Sequence, residues 1–256
     1  FLSVFFITFY LTLLAYKLIQ EEKLEFDDIF LLLSNSFIFY GVGYFLLDNH
    51  KTGEQLLGLY TLCNAIVHFI VGAIIYRRKL ADRNLFYLVS GLVLVFITIA
   101  IPVQLDGNWV TLLWAGESAL LFWIGRTKNV PVYENLSYPL MILAFFSISH
   151  DWFTLYDAYL PENPETRINP LFNIIFLTSI LFIAAFGFIN ILNSNRKYSA
   201  GLSIHKRISK IISFIIPAIL IFTIYYAFRM EIVTYWEQLY KDSALIIRSN
   251  NQQYPD

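Results

Sequence analysis

The chain has 256 residues, of which 57% are hydrophobic, 18% aromatic and only 14% charged. Soluble domains carry about 25% charged residues, so this composition, with a mean hydropathy of +0.59, excludes an ordinary globular protein. A net charge of −1, from 18 basic and 19 acidic side chains, excludes a nucleic-acid binder, which would show a basic excess.

The fold class that follows is all-α, a polytopic transmembrane helix bundle. Eight apolar runs occur in order, at residues 1–16, 29–47, 56–76, 85–101, 109–125, 136–149, 171–192 and 211–228. Most reach the roughly 17–25 residues that a spanning helix needs. The first opens at Phe1 with no basic stretch before it and no small-residue cleavage site after it, so it reads as a span and not as a signal peptide. The single cysteine, Cys63, lies inside an apolar run; it excludes an internal disulfide and reads as packing.

Sides can be assigned because Lys and Arg concentrate in cytoplasmic loops. Alternating the loops puts 13 of the 18 basic residues on one side: Lys17, Lys23, Arg77, Arg78, Lys79, Arg83, Arg126, Lys128, Arg196, Lys197, Lys206, Arg207 and Lys210. That side is expected to be cytoplasmic, in a bacterial inner membrane, and the C-terminal segment then leaves on the outer face.

The outer segments have their own texture. Residues 151–170 begin with Trp152, Phe153, Tyr156 and Tyr159, suited to a headgroup belt, and end with three prolines in ten residues, which exclude a regular helix there. In residues 229–256, Ile232, Trp236, Leu239, Tyr240 and Ile247 recur at near-helical spacing, with Glu231, Glu237, Lys241 and Asp242 between them. This predicts an amphipathic helix, either lying in the outer interface or opening an extramembrane domain. The start at Phe1 and the polar, abrupt close predict a fragment of a longer membrane protein.

Glu117 is the first candidate for chemistry. It lies eight residues from both Trp109 and Gly125, so at about 1.5 Å per residue it is roughly 12 Å from each end of its run, near the bilayer midplane. An ionisable group there is costly and therefore a functional candidate, as a proton or cation relay or a substrate grip. The structural alternative is a carboxylate held by neighbouring hydroxyls, amides or a histidine. His68 is predicted at a similar depth. Leu57, Thr61, Asn64, His68 and Gly72 fall at steps of three and four, a small and polar stripe on one helix face. Such a stripe suits helix packing in membranes, and a Glu117–His68 pair is the sharper alternative.

A third group, Asp48, His50, Asp106, His150 and Asp151, is expected at outer helix ends. Two His and several Asp could bind a divalent ion, but the spacing is irregular and no His-Glu-x-x-His signature is present, so solvated loop residues are the expectation. Nor is there a phosphate-cradling glycine loop, a nucleophile elbow or a Cys-x-x-Cys pair. No metal and no cofactor are expected.

The stretch Ile101-Pro-Val-Gln-Leu-Asp-Gly-Asn-Trp109, followed by Trp114-Ala-Gly-Glu-Ser-Ala-Leu-Leu-Phe-Trp-Ile-Gly125, resembles the bacterial membrane proteins grouped as domain of unknown function 2339. That family has a comparable Pro-x-Gln-x-x-x-x-Trp turn leading into a Trp-Ala-x-Glu-Gly helix. Ser118 stands where Gly is common, a departure that keeps the carboxylate. The resemblance covers about 25 residues and implies a multi-helix fold in the inner membrane; it implies no activity.

Three functional readings follow. One is a membrane scaffold, or part of a larger membrane assembly, with the bilayer, other subunits or the remainder of its own chain as partners. The second is a transport or relay core using Glu117 and His68, with Asn64 and Thr61 nearby. The third is a membrane-embedded enzyme on lipid-linked or envelope substrates, using the outer Asp and His groups.

Overall fold

The computed structural model describes residues 2–19, 26–77, 83–105, 107–156, 159–161, 163–195 and 206–253. Among them the regular structure is entirely helical: α1 (Leu2–Ile19), α2 (Phe26–Asp48), α3 (Leu57–Arg77), α4 (Arg83–Gln104), α5 (Asn108–Lys128), α6 (Pro131–Leu155), α7 (Ile174–Ser194) and α8 (Lys206–Gln253). Short 3-10 turns at Glu54–Leu56 and Pro164–Thr166 interrupt two of the connections. Asp106, Lys23, Arg78, Lys79 and all of the basic 196–205 segment lie outside the described residues.

Each expected apolar run overlaps a helix. Five stretches are long and apolar enough to cross a membrane: Asp27–Asp48, Glu54–Arg77, Leu85–Gln104, Ile174–Ser194 and Ile211–Ser243. The expectation of eight equivalent spans is therefore met in part. α5 and α6 are long enough but carry too much polarity, with Glu117, Arg126 and Lys128 on one and Glu134, His150 and Asp151 on the other. In α1 the described apolar stretch is the shorter Ser3–Thr12.

The chain divides into two compact units, 1–105 and 106–256. In the first, α1 packs on α2, α2 on α3, and α3 lies along α4, around a core of Phe6, Tyr10, Leu32, Ile75, Leu85 and Val89. Gly43 lets α3 approach α2 closely, because a Cβ there would fall 2.0 Å from the Tyr60 hydroxyl. In the second, α5 packs against α6 and α7, and α7 against α8. Phe122, Trp152, Phe182 and Phe186 are its large buried side chains, with the last two stacked 4.3 Å apart.

Both units are apolar outside and partly polar inside. Phe45, Phe69, Phe146 and Phe214 are exposed, whereas Ser36, Thr61, Thr178, Ser179 and Thr223 are buried. Those hydroxyls donate to the carbonyl of the residue four before, as Thr61 does to Leu57 at 2.8 Å and Thr223 to Ile219 at 2.8 Å. Bonded in this way, they permit tight helix contact without an unsatisfied polar group. Cys63 departs from expectation: it is exposed on α3, not packed, because the buried face of that helix is the Thr61–Asn64–His68 stripe.

The turn between α5 and α6 follows from local sequence. Asn129 takes a left-handed conformation (φ 59°) and closes α5 by donating to Gly125 O, and Pro131 opens α6; Asn and Pro are favoured in these positions. Gly125 is needed because a Cβ there would meet the Glu134 backbone N at 2.6 Å.

α8 is 48 residues long, about 72 Å at 1.5 Å per residue, more than twice the ~30 Å hydrocarbon layer. The expected last span and the 229–256 segment are thus one continuous helix as far as Gln253.

Candidate functional site

The α3 stripe is buried as its spacing predicts: Leu57, Thr61, Asn64, His68 and Gly72 all face inward. Each polar member has a local partner within the first unit. Thr61 Oγ1 is 3.1 Å from the Tyr40 hydroxyl, Asn64 Nδ2 donates to Tyr60 O at 2.8 Å, and the Tyr60 hydroxyl donates to Phe39 O at 2.9 Å. His68 is fully buried. Its Nδ1 is 2.9 Å from the Tyr10 hydroxyl, Phe96 stacks on the ring at 5.3 Å, and Phe6 meets it edge-on at 6.2 Å. Its Nε2 has no partner among the described residues.

Glu117 lies on α5 in the second unit, half-buried on the flank of a packed face formed by Thr111, Ala115, Ser118 and Phe122. It is not without an interaction. Since His68 and Glu117 belong to different units, the Glu117–His68 pair stays a proposal.

The five outer-end candidates take different environments. Asp48 and His50 are exposed in the first unit, where His50 Nδ1 accepts from the Thr52 backbone N at 3.3 Å. Asp106 is outside the described residues. His150 is exposed, while the adjacent Asp151 is buried, only 3% accessible. Among the described residues no three His, Cys, Asp or Glu converge as a metal group.

Asp151 is the most structured of the five. Its Oδ2 accepts from the Thr111 hydroxyl at 2.6 Å, and Thr111 Oγ1 is also 2.6 Å from Ser147 Oγ. Asp151 lies beyond the apolar run that ends at Ser149. Burial holds its carboxyl above the usual carboxylate range, opposed by the Thr111 hydrogen bond and by His150.

At the other end of the α5–α6 hairpin is a charge pair that sequence reading had counted only as a loop cation. Arg126 Nε donates to Glu134 Oε1 at 2.8 Å, with both side chains 5% exposed. The Tyr138 hydroxyl donates to the same oxygen at 2.6 Å, and the guanidinium lies 4.9 Å from the Phe122 ring centroid. Glu134 Oε2 has no partner among the described residues.

The third cluster was also missed, although its spacing was visible. Glu231, Thr234 and Gln238 are buried on α8, Glu231 to 4% exposure. Glu231 accepts from the Tyr156 hydroxyl, from the Leu171 backbone N at 2.6 Å and from Asn173 Nδ2 at 2.8 Å. Further along, Gln238 Nε2 donates to Ile168 O at 3.2 Å, Lys241 Nζ to Tyr159 O at 3.2 Å, and the Tyr159 hydroxyl to Asp242. The helix therefore clamps Tyr156, Tyr159, Ile168, Leu171 and Asn173 with its polar face and turns its apolar face outward, with Trp236 64% and Tyr240 75% exposed.

Long apolar helices, an apolar exterior and hydroxyls bonded back into their own helices define an α-helical membrane protein. The chain belongs to the DUF2339 family of predicted membrane proteins, which matches residues 1–245. No curated protein matches it significantly, and no solved structure does.

Proposed function

We propose that the chain is a non-catalytic, multi-pass scaffold of a bacterial cytoplasmic membrane, built to carry α8 out of the lipid as a braced post. In this reading all eight helices cross the bilayer, the basic loops are cytoplasmic, and the outer end of α8 serves other subunits or the rest of a longer chain. One observation carries it: Glu231, Gln238, Lys241 and Asp242 of α8 bond to Tyr156, Leu171, Asn173, Ile168 and Tyr159. A helix braced in this way stays ordered beyond the ~30 Å that lipid alone supports. The bonding of Thr61, Asn64 and His68 within their own unit supports packing as the role of that stripe.

The test is proton flux in proteoliposomes under an imposed pH gradient. A scaffold gives flux no faster than empty vesicles, and Glu117→Gln changes nothing. Protein-dependent flux abolished by Glu117→Gln would replace this reading with the relay core of Glu117 and His68.

A further inference from the structure

The buried carboxyl of Asp151 has no lysine or arginine pairing with it among the described residues. Its immediate partners are the neutral hydroxyl of Thr111 and, through it, that of Ser147. An ionised carboxylate removed from water needs a counter-charge or several donors, and without them it holds a proton instead. Among the described residues Asp151 has one donor, the Thr111 hydroxyl. Two hydroxyls in series, at 2.6 Å and 2.6 Å, can run in either direction, because each is both donor and acceptor.

We propose that Asp151, Thr111 and Ser147 form a proton-binding site at the end of the α5–α6 hairpin away from its turn, whose hydroxyl chain reverses direction with the charge on the carboxyl. In the ionised state Ser147 donates to Thr111 and Thr111 donates to Asp151 Oδ2. When a proton from solvent binds, the carboxyl O–H donates to Thr111 Oγ1 and Thr111 donates to Ser147 Oγ. The proton count rises by one, no other bond to hydrogen breaks, and the Ser147 hydroxyl hydrogen is freed to face another acceptor. The hydrogen bonds between Asp151, Thr111 and Ser147 persist in both states, so the cluster accommodates either charge. The site stands apart from the scaffold reading, since binding a proton requires no flux.

The groups around Asp151 come from four helices. On α6, His150 is the titratable neighbour that acts on Asp151, and Tyr156 is engaged by Glu231 of α8. α5 presents Thr111 and the neutral Asn108, whose Oδ1 is buried without a partner, with Glu117 six residues further on. α7 presents Ser179, which accepts from Trp152 Nε1 at 2.9 Å. From α8, Tyr226 stacks on Trp152 at 5.2 Å, with Arg229 over the Tyr226 ring.

Acid-minus-alkaline infrared difference spectra of the full chain in liposomes test the site. The expected result is a buried carboxyl C=O band that appears on acidification, is lost in Asp151→Asn and is shifted in Thr111→Val and Ser147→Ala. Should Asp151→Asn not fold, carbon-13 labelling of aspartate in the wild type and in Ser147→Ala identifies the band by its isotope shift and its sensitivity to the chain. A wild-type spectrum identical to that of Asp151→Asn overturns the proposal. So does a carboxyl band present at every pH, or one indifferent to both hydroxyl variants.

Discussion

Glu231 on α8 holds the backbone N–H of Leu171 at 2.6 Å, and Leu171 is in a left-handed conformation with φ 63°. A non-glycine residue takes that conformation at a cost, and persists in it where its surroundings fix it. Here the fixing group is one carboxylate that also receives the Asn173 amide and the Tyr156 hydroxyl. Glu231→Ala strands all three donors and is expected to destabilise the second unit by about 3 kcal/mol, given roughly 1–3 kcal/mol per buried unsatisfied group with partial relaxation. Glu231→Gln should cost less. Thermal unfolding in detergent measures both, and equal stability of Glu231→Ala and wild type would remove the clamp from the account.

The Arg126–Glu134 pair yields a different pattern. Removing either partner alone leaves a buried charge, so Arg126→Met and Glu134→Leu should each cost about 3–5 kcal/mol. The double variant should be more stable than either single one, because two apolar side chains leave no orphaned charge. Unfolding midpoints of the four proteins close the cycle, and additive losses would show that the two groups are uncoupled.

Protonation of Asp151 predicts a pH dependence of stability. Its folded-state carboxyl titrates above the usual range, so between its unfolded and folded values the folded chain binds more protons than the unfolded one. Stability is then full below the ordinary carboxylate pKa and falls as pH rises through the raised folded value. Asp151→Asn should flatten this component. Unfolding of both proteins across the acidic range gives the difference, and parallel curves would contradict it.

In the first unit, the Tyr10 hydroxyl lies 2.9 Å from His68 Nδ1. Tyr10→Phe loses one buried hydrogen bond, about 1 kcal/mol. His68→Ala also empties a fully packed site between Phe6 and Phe96 and should cost about 3 kcal/mol or more. Combining the two should cost less than their sum, since they share one contact.

What was legible in the sequence follows from which physics writes a pattern. Apolar runs, most of them of membrane length, marked where the helices lie, and the three-and-four steps of Thr61, Asn64 and His68 marked a face that is buried. The outer part of α8 was legible as a helix but its facing was not. Glu231 and Gln238 turn inward and Trp236 and Tyr240 outward. Periodicity gives the two faces without saying which one water, lipid or a neighbouring segment covers. Glu134 and Thr111 left no signal because their partners come from the facing helix of a hairpin, at separations of 8 and 40 residues. Of the outer Asp and His residues, Asp151 alone among those described is buried, a matter of helix rotation that irregular spacing does not encode.

Hydrogen–deuterium exchange along α8, in the full chain reconstituted in nanodiscs, tests the braced post most directly. The account predicts protection continuous from Ile211 through Ser243, lost beyond Arg229 in Glu231→Ala while α7 stays protected. Rapid exchange of residues 231–243 in the wild-type protein, or protection there that survives Glu231→Ala unchanged, would contradict it.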